Sequence, residues 1–89
     1  MIRQHIVFYG WVQGVGFRWR AMQAAARSGA TGWVRNDPGG SVTMEIQGTQ
    51  KAIDEVIMAI ERSPYINIDR MEVKTIPLKE GERGFFPLG

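Results

Sequence analysis

The sequence predicts an α+β fold in which two helices pack on one face of an antiparallel sheet. Three observations support this prediction. Segments with strand and helix patterns follow one another in the order β-α-β-β-α-β over 89 residues. The apolar residues are mostly β-branched, with nine Ile and seven Val against two Leu, and such residues favour strands. Hydrophobic residues make up 44% of the chain and charged residues 22%, a balance typical of a folded globular domain.

The first strand and the first helix are separated by a glycine-rich loop. Ile2–Trp11 has the mixed apolar and polar pattern of a strand, and residues 12–16 interrupt it with two glycines. A helix is predicted at Phe17–Ser28, because Gly29 stands where a glycine commonly ends a helix.

Two further strands are joined by a tight turn. Residues 31–35 predict a short strand, and residues 41–47 alternate, which points Val42, Met44 and Ile46 inward. Between these strands, Pro38-Gly39 fits the central positions of a type II turn.

The second helix is predicted from a cap and a periodic apolar face. Thr49 is a suitable N-cap for a helix that runs to Arg62, and the apolar residues of this segment share one side. Ser63-Pro64 ends the helix.

Two strands are predicted after the second helix. Residues 66–76 form the first of them, with Met71 and Val73 inward. Phe85–Leu88 is a short fifth strand at a sheet edge, because Pro87 has no N–H for a ladder bond. The element order predicts a ferredoxin-like βαββαβ sandwich with this addition, formed by residues 1–89 as a single domain.

Composition narrows the classes of function. The chain has no cysteine and one histidine, which excludes disulfides, thiolate nucleophiles and multi-histidine metal sites. Its longest strongly apolar stretch, residues 6–12, is too short to span a bilayer, and its first residues lack a signal-peptide pattern. We therefore expect a cytoplasmic protein with no metal, cofactor or membrane partner.

The basic residues favour small anions. Lys and Arg number 11 against 9 Asp and Glu, for a net charge of +2. Eight of the eleven are Arg, whose planar guanidinium matches phosphate and carboxylate groups. Because they are scattered along the chain, composition gives little support for a nucleic-acid partner.

The loop of residues 12–16 is a candidate anion site. Its glycines let backbone N–H groups turn inward just before a helix N-terminus, an arrangement that binds anions, although such loops can also be plain turns. Neither the P-loop nor the dinucleotide-binding glycine pattern is present, because a lysine is missing and position 19 is Trp.

Two side chains could complete this site. At about 100° per residue, Arg18 lies on the apolar side of its helix and Arg20 on the solvent side. An inward charge needs a partner or an anionic ligand; the alternatives for Arg18 are an ion pair with Asp37 or extension into solvent. Asn36 could cap the turn or hold a water molecule, if its strand lies beside the first strand and so brings it to the loop.

Two blocks of the sequence resemble the acylphosphatase family. The family pattern V-Q-G-V-x-F-R is matched by Val12-Gln13-Gly14-Val15-Gly16-Phe17-Arg18, and the pattern G-W-V-R-N by Gly32-Trp33-Val34-Arg35-Asn36, with the family's spacing. The resemblance covers essentially the whole chain and is weakest at residues 85–88.

The resemblance implies the hydrolysis of acyl phosphates to a carboxylate and inorganic phosphate. It assigns phosphate binding to Arg18 and positioning of the attacking water to Asn36. Phosphate and sulfate would then act as inhibitors of a monomeric enzyme. The phosphate cradle that it implies comprises the backbone N–H groups of Gln13, Gly14, Val15, Gly16, Phe17 and Arg18.

The chemistry of the residues agrees with such a reaction. A carboxylate leaving group, with a pKa of about 4, needs little help from a general acid. Phosphoryl transfer depends largely on positioning and charge stabilisation, so in-line attack by a water needs neither metal nor covalent intermediate.

Three other functions are compatible with parts of the sequence. An RNA-binding module has the same element order, and Val7, Tyr9 and Trp11 share one face of the first strand, but residues 42–47 contain no aromatic side chain. A regulatory small-ligand domain would usually accompany a catalytic partner. The chain could also correspond to the acylphosphatase-like segment of larger carbamoyl-transfer proteins, which its length disfavours.

Overall fold

Five strands form one mixed sheet, and both helices cover the same face of it. The computed structural model describes residues 1–89. Its elements are β1 (Ile2–Trp11), α1 (Phe17–Ser28), β2 (Thr31–Asn36), β3 (Val42–Gly48), α2 (Gln50–Glu61), β4 (Asn67–Ile76) and β5 (Phe85–Leu88). The strand order is β4-β1-β3-β2-β5. The neighbours are antiparallel except β2 and β5, which are parallel. The ferredoxin-like sandwich with a short fifth strand is confirmed.

The core lies between the sheet and the helices. The predicted inward residues of β3, Val42, Met44 and Ile46, are fully buried. Phe8 of β1 meets Phe17 of α1 edge to face, with ring centroids 4.9 Å apart. This contact fixes the start of α1 against the sheet, next to the glycine loop.

Both predicted helix signals are confirmed. Gly29 adopts the left-handed conformation after α1 and donates its N–H to the Ala25 carbonyl at 2.9 Å. Thr49 caps α2, since its hydroxyl accepts a hydrogen bond from the Ala52 N–H at 3.0 Å. α2 ends at Glu61, with Arg62 as its C-cap.

The expected neighbour of β2 was wrong, although the consequence drawn from it holds. β3 lies between β1 and β2 and is antiparallel to both. β1 and β2 therefore run in the same direction and end at the same edge of the sheet. Val42 faces Phe8 on one side and Asn36 on the other, so Asn36 reaches the loop-bearing end across one intervening strand.

The turn between β2 and β3 is not of type II. That type needs a positive φ at its third residue, and Gly39 does not have one; the left-handed residue is Gly40, with φ 100°. The Gly40 N–H donates to the Asp37 carbonyl at 3.1 Å, and the Asp37 N–H donates to the Ser41 carbonyl at 2.9 Å. The extra left-handed residue after the turn gives a longer hairpin connection.

Met71 and Val73 point inward as predicted, but they are not buried. They pair with Phe8 and Ile6, whose side chains are buried, so they stand on the helix-covered face. They are nevertheless 36% and 50% exposed, because β4 is an edge strand beyond the cover of the helices. Strand alternation predicts the direction of a side chain but not the extent of the layer above it.

The helix-free face of the sheet carries an ion network centred on a buried arginine. The Arg3 guanidinium, with its side chain 3% exposed, binds Glu82 at 2.7 Å and Glu45 at 3.1 Å. Glu82 also accepts a hydrogen bond from Thr31 at 2.8 Å, and His5 contacts Glu45 at 2.8 Å. Glu82 belongs to the segment between β4 and β5, so this network anchors the chain just before β5.

Candidate active site

The loop after β1 presents a run of unpaired backbone donors. Gly14 and Gly16 have φ of 72° and 79°, a left-handed conformation that glycine adopts without strain. They curl residues 12–16 so that the N–H groups of residues 13–19 donate to no acceptor within the chain. The first turn of α1 contains no acidic residue and has no side-chain cap, which leaves its positive dipole end open to an anion.

Arg18 lies at this helix end without a partner. Its side chain is half-buried and borders the largest cavity of the molecule, in agreement with the predicted inward orientation. The alternative ion pair with Asp37 does not form. The Asp37 carboxylate instead accepts hydrogen bonds from Arg35, Ser41 and Thr43 at 3.1, 2.9 and 2.6 Å.

Asn36 faces the same cavity from the end of β2. Its side-chain amide makes no hydrogen bond within the chain, whereas the neighbouring Asp37 holds the turn. Burial raises the pKa of Asp37, but hydrogen bonds from Thr43, Ser41 and Arg35 outweigh burial and leave the pKa below its ordinary value. The turn-capping interpretation thus belongs to Asp37, and the Asn36 amide is free to contact a ligand.

The cavity joins the predicted groups in one place. Its volume is about 360 Å³. Four of the six predicted cradle residues border it, while Val15 packs against the core and Gln13 turns its side chain elsewhere. Its lining comprises Val12, Gly14, Gly16, Phe17, Arg18, Trp19, Met22, Asn36 and Pro87.

Gln13 contributes a contact that the sequence did not indicate. Its side-chain amide donates to the Asp37 carbonyl at 2.7 Å and to the Ser41 carbonyl at 2.8 Å. These bonds tie the glycine loop to the turn after Asn36. A glutamine in a loop carries no pattern that predicts such a partner.

Trp19, Met22 and Pro87 also border the cavity, and the sequence did not mark them as site residues. Trp19 and Met22 follow Arg18 by one and four positions, so the helical spacing places Met22 beside it. Pro87 arrives from β5, whose parallel pairing with β2 could not be predicted.

The predicted solvent-facing orientation of Arg20 was wrong. Arg20 is half-buried, and its guanidinium donates to the Ala59 carbonyl near the end of α2 at 3.2 Å. The polar side of α1 borders α2 at this point, so Arg20 links the two helices and does not enter the cavity.

The open sheet face gives no support to the RNA-binding alternative. The Tyr9 ring lies under Arg70 at 4.2 Å and its hydroxyl donates to Glu72 at 2.8 Å. Trp33 lies under Arg35 at 5.1 Å. Arginine side chains of the same chain therefore cover these two rings, where a base would have to stack. Neither helix combines the length and apolar character that a membrane crossing requires.

Comparisons with known proteins agree on one family. The family model described as Acylphosphatase matches residues 4–86. A curated acylphosphatase of Thermococcus kodakarensis is 40% identical over 89 residues, covering 99% of this chain and 97% of that protein.

Solved structures show the same relationship. The crystal structure of acylphosphatase from Bacillus subtilis superimposes with a TM-score of 0.90 at 29% identity, with each chain covered completely. Full-length HypF in its phosphate- and nucleotide-bound form gives a TM-score of 0.86 at 30% identity. That match covers 99% of this chain and 12% of the HypF chain.

Proposed function

Since the chain belongs to the acylphosphatase family and hydrolyses acyl phosphates to a carboxylate and inorganic phosphate, we propose how its residues divide that work. Arg18 and the N–H groups of residues 13–18 bind the phosphate, and Asn36 positions the attacking water. The observation that carries this proposal is the meeting of three unpaired polar groups in one cavity: the guanidinium, the amide and the loop donors.

Binding of the phosphate follows from these groups. A guanidinium offers two parallel N–H bonds to phosphate oxygens, and the loop donors at the start of α1 add further bonds and a favourable dipole. These donors are already fixed by the glycine conformations, so little ordering is needed when charge spreads over the phosphoryl oxygens.

Water attack follows from the position of Asn36. An amide can accept a hydrogen bond from a water and donate one to a phosphoryl oxygen, which orients the water for in-line displacement. The leaving carboxylate departs without a general acid because its pKa is about 4. The proton of the water passes to the phosphate itself, so the step uses neither a metal nor a covalent intermediate.

We further propose that residues 1–89 act as one domain, as a cytoplasmic monomer. The absence of cysteine supports a reducing compartment, since small secreted domains commonly rely on disulfides. A monomer is consistent with the distribution of the large exposed apolar side chains, which come from β1, both helices, β4 and β5 and do not belong to one element.

The experiment that tests the proposed function is phosphate release from benzoyl phosphate by purified protein, with and without a chelator. We expect equal rates in the two conditions and competitive inhibition by inorganic phosphate and sulfate. A rate that disappears with chelator and returns with magnesium would overturn the metal-free mechanism. Non-competitive inhibition would show that phosphate and sulfate do not bind at the substrate site.

A further inference from the structure

One wall of the cavity is apolar. Trp19 and Met22 stand on α1 at i, i+3 spacing, and Pro87 faces them from β5. Trp19 is 62% exposed, so its indole contributes little to the core. It lies directly after Arg18, the proposed phosphate ligand, where the part of a substrate beyond the phosphate would emerge.

The cavity is larger than a phosphate alone requires. Its volume of about 360 Å³ lies within the range in which proteins bind small organic molecules, roughly 300–1,000 Å³. Its lining combines the polar groups of the glycine loop, Arg18 and Asn36 with the apolar side chains of Trp19, Met22 and Pro87.

The charges in the cavity lining also favour an uncharged acyl group. Arg18 is the only charged residue that borders the cavity. The two arginines nearest in sequence to the site blocks have partners elsewhere: Arg20 binds the Ala59 carbonyl, and Arg35 binds Asp37. A second negative charge on the acyl group would therefore find no cation there, and its desolvation would be unfavourable.

We propose that Trp19, with Met22 and Pro87, binds the acyl group and makes this enzyme prefer acyl phosphates whose acyl part is uncharged and apolar, aromatic ones above all. The inference rests on the proposed function, because it is the phosphate at Arg18 that places the acyl group against the indole. Stacking on an aromatic face and removal of apolar area from water both favour such a group.

The first test compares three substrates: benzoyl, acetyl and succinyl phosphate. For the wild-type protein we expect kcat/KM to be highest for benzoyl phosphate and lowest for succinyl phosphate. Trp19→Ala should lower kcat/KM for benzoyl phosphate about tenfold, the effect of losing one aromatic contact surface. It should change the acetyl phosphate value, and inhibition by inorganic phosphate, less than about twofold. Trp19→Phe should retain most of the benzoyl preference.

Trp11→Ala is the matched control. Trp11 is 71% exposed and does not border the cavity, so its loss should leave the benzoyl-to-acetyl ratio unchanged. If Trp19→Ala lowers both substrates equally, or if Trp11→Ala shifts the ratio as much, the acyl-binding surface is refuted.

A binding measurement separates this proposal from the reaction itself. Benzylphosphonate and methylphosphonate carry the same charged end and are not hydrolysed. Calorimetry should show tighter binding of benzylphosphonate to the wild-type protein and near-equal binding of the two to Trp19→Ala. Equal affinities of the wild-type protein for benzylphosphonate and methylphosphonate would refute the proposed acyl-binding surface, even if the protein hydrolyses acyl phosphates. Failure to hydrolyse any of the acyl phosphates would instead overturn the proposed function.

Discussion

Gln13 and Asp37 are 24 residues apart in the chain, and the side-chain amide of Gln13 donates to the backbone carbonyl of Asp37 at 2.7 Å. A second bond from the same amide reaches the Ser41 carbonyl at 2.8 Å. These two bonds fix the relative position of two parts of the candidate active site: the loop that carries the N–H donors and the strand end that carries Asn36. In the proposed mechanism, the distance between the phosphate and the attacking water depends on this link.

Gln13→Ala should therefore lower kcat although its side chain does not border the cavity. We expect a fall of about tenfold or more, since small misplacement of reacting groups is costly. The loss of stability should be only about 0.5–1.5 kcal/mol for each lost hydrogen bond, because both carbonyls keep a backbone N–H donor. Kinetics at saturating acetyl phosphate and a denaturant titration measure the two effects. Gln23→Ala, on an exposed position of α1, is the control. An unchanged kcat in folded Gln13→Ala protein would show that the link has no catalytic consequence.

Arg18→Ala should abolish measurable activity and leave the fold intact. The loss of a charge pair with a bound phosphate costs about 2–5 kcal/mol of binding, and Arg18→Lys should recover little because an ammonium lacks the planar fork. The measurement is kcat/KM with circular dichroism as the folding check. Arg20→Ala is the matched comparison: it should lose about 1 kcal/mol of stability with the bond to Ala59 and keep its activity. Equal kinetic damage in both variants would contradict the separate roles.

Asn36→Ala should reduce kcat by about 10²–10³, the usual effect of removing one oriented polar group. The inhibition constant of phosphate should stay nearly constant, because Arg18 and the loop donors remain. Thermal stability should also change little, since the Asn36 amide makes no hydrogen bond within the chain. Asp37→Ala, which removes the turn contacts with Ser41 and Thr43, should show a clear loss of stability. A near-normal kcat for Asn36→Ala would take this residue out of the mechanism.

Stability should fall in acid because of the carboxylates around Arg3. Burial raises the pKa of Glu82, but hydrogen bonds from Arg3 and Thr31 lower it by more, so the pKa in the folded protein lies below the ordinary 4.5. The pKa of Glu45 is likewise raised by burial and lowered further by His5 and Arg3. A carboxyl with a depressed pKa stabilises the fold above its unfolded pKa, and that contribution is lost as pH falls through the folded value.

Free energies of unfolding measured between about pH 7 and pH 3 should thus decline most below about pH 4.5. Glu82→Gln should have a shallower acid decline and lower stability at neutral pH. Arg3→Leu should lower the stability at neutral pH by about 1–3 kcal/mol, because it removes the cation shared by the half-buried carboxylates of Glu45 and Glu82. An acid decline in Glu82→Gln as steep as in the wild type would assign the pH dependence to other groups.

Local patterns were sufficient to predict the helices and strands and the inward direction of Arg18, which borders the same cavity as Asn36. The cap at Thr49, the helix end at Gly29 and the alternation of β3 depend only on residues a few positions away. Such effects can therefore be predicted from the sequence. The same is true of Arg18, whose orientation follows from helical geometry. Asn36 was placed correctly at the loop-bearing end, even though its strand pairs with β3 and not with β1, because both β1 and β2 end at that edge.

Features that depend on distant partners were out of reach. Met71 and Val73 point the predicted way, but whether a helix covers an edge strand depends on the width of the helix layer. Arg20 finds its acceptor on α2, 39 residues away, and Pro87 reaches the cavity through a parallel pairing that no local signal encodes.

The donors that the glycine loop itself offers to the cavity belong to the main chain, so the identity of the loop side chains matters less than the backbone conformation of Gly14 and Gly16. A Cβ added at Gly14 or Gly16 would meet nothing within 4 Å, and the obstacle to L-alanine at either position is conformational, about 1–2 kcal/mol. A D-residue has the opposite preference. Chemically synthesised protein with D-alanine at position 14 should therefore keep its anion site, whereas the L-alanine version should weaken it. In this loop, the left-handed backbone conformation at two positions, and not a side chain, orients the groups that would bind the anion.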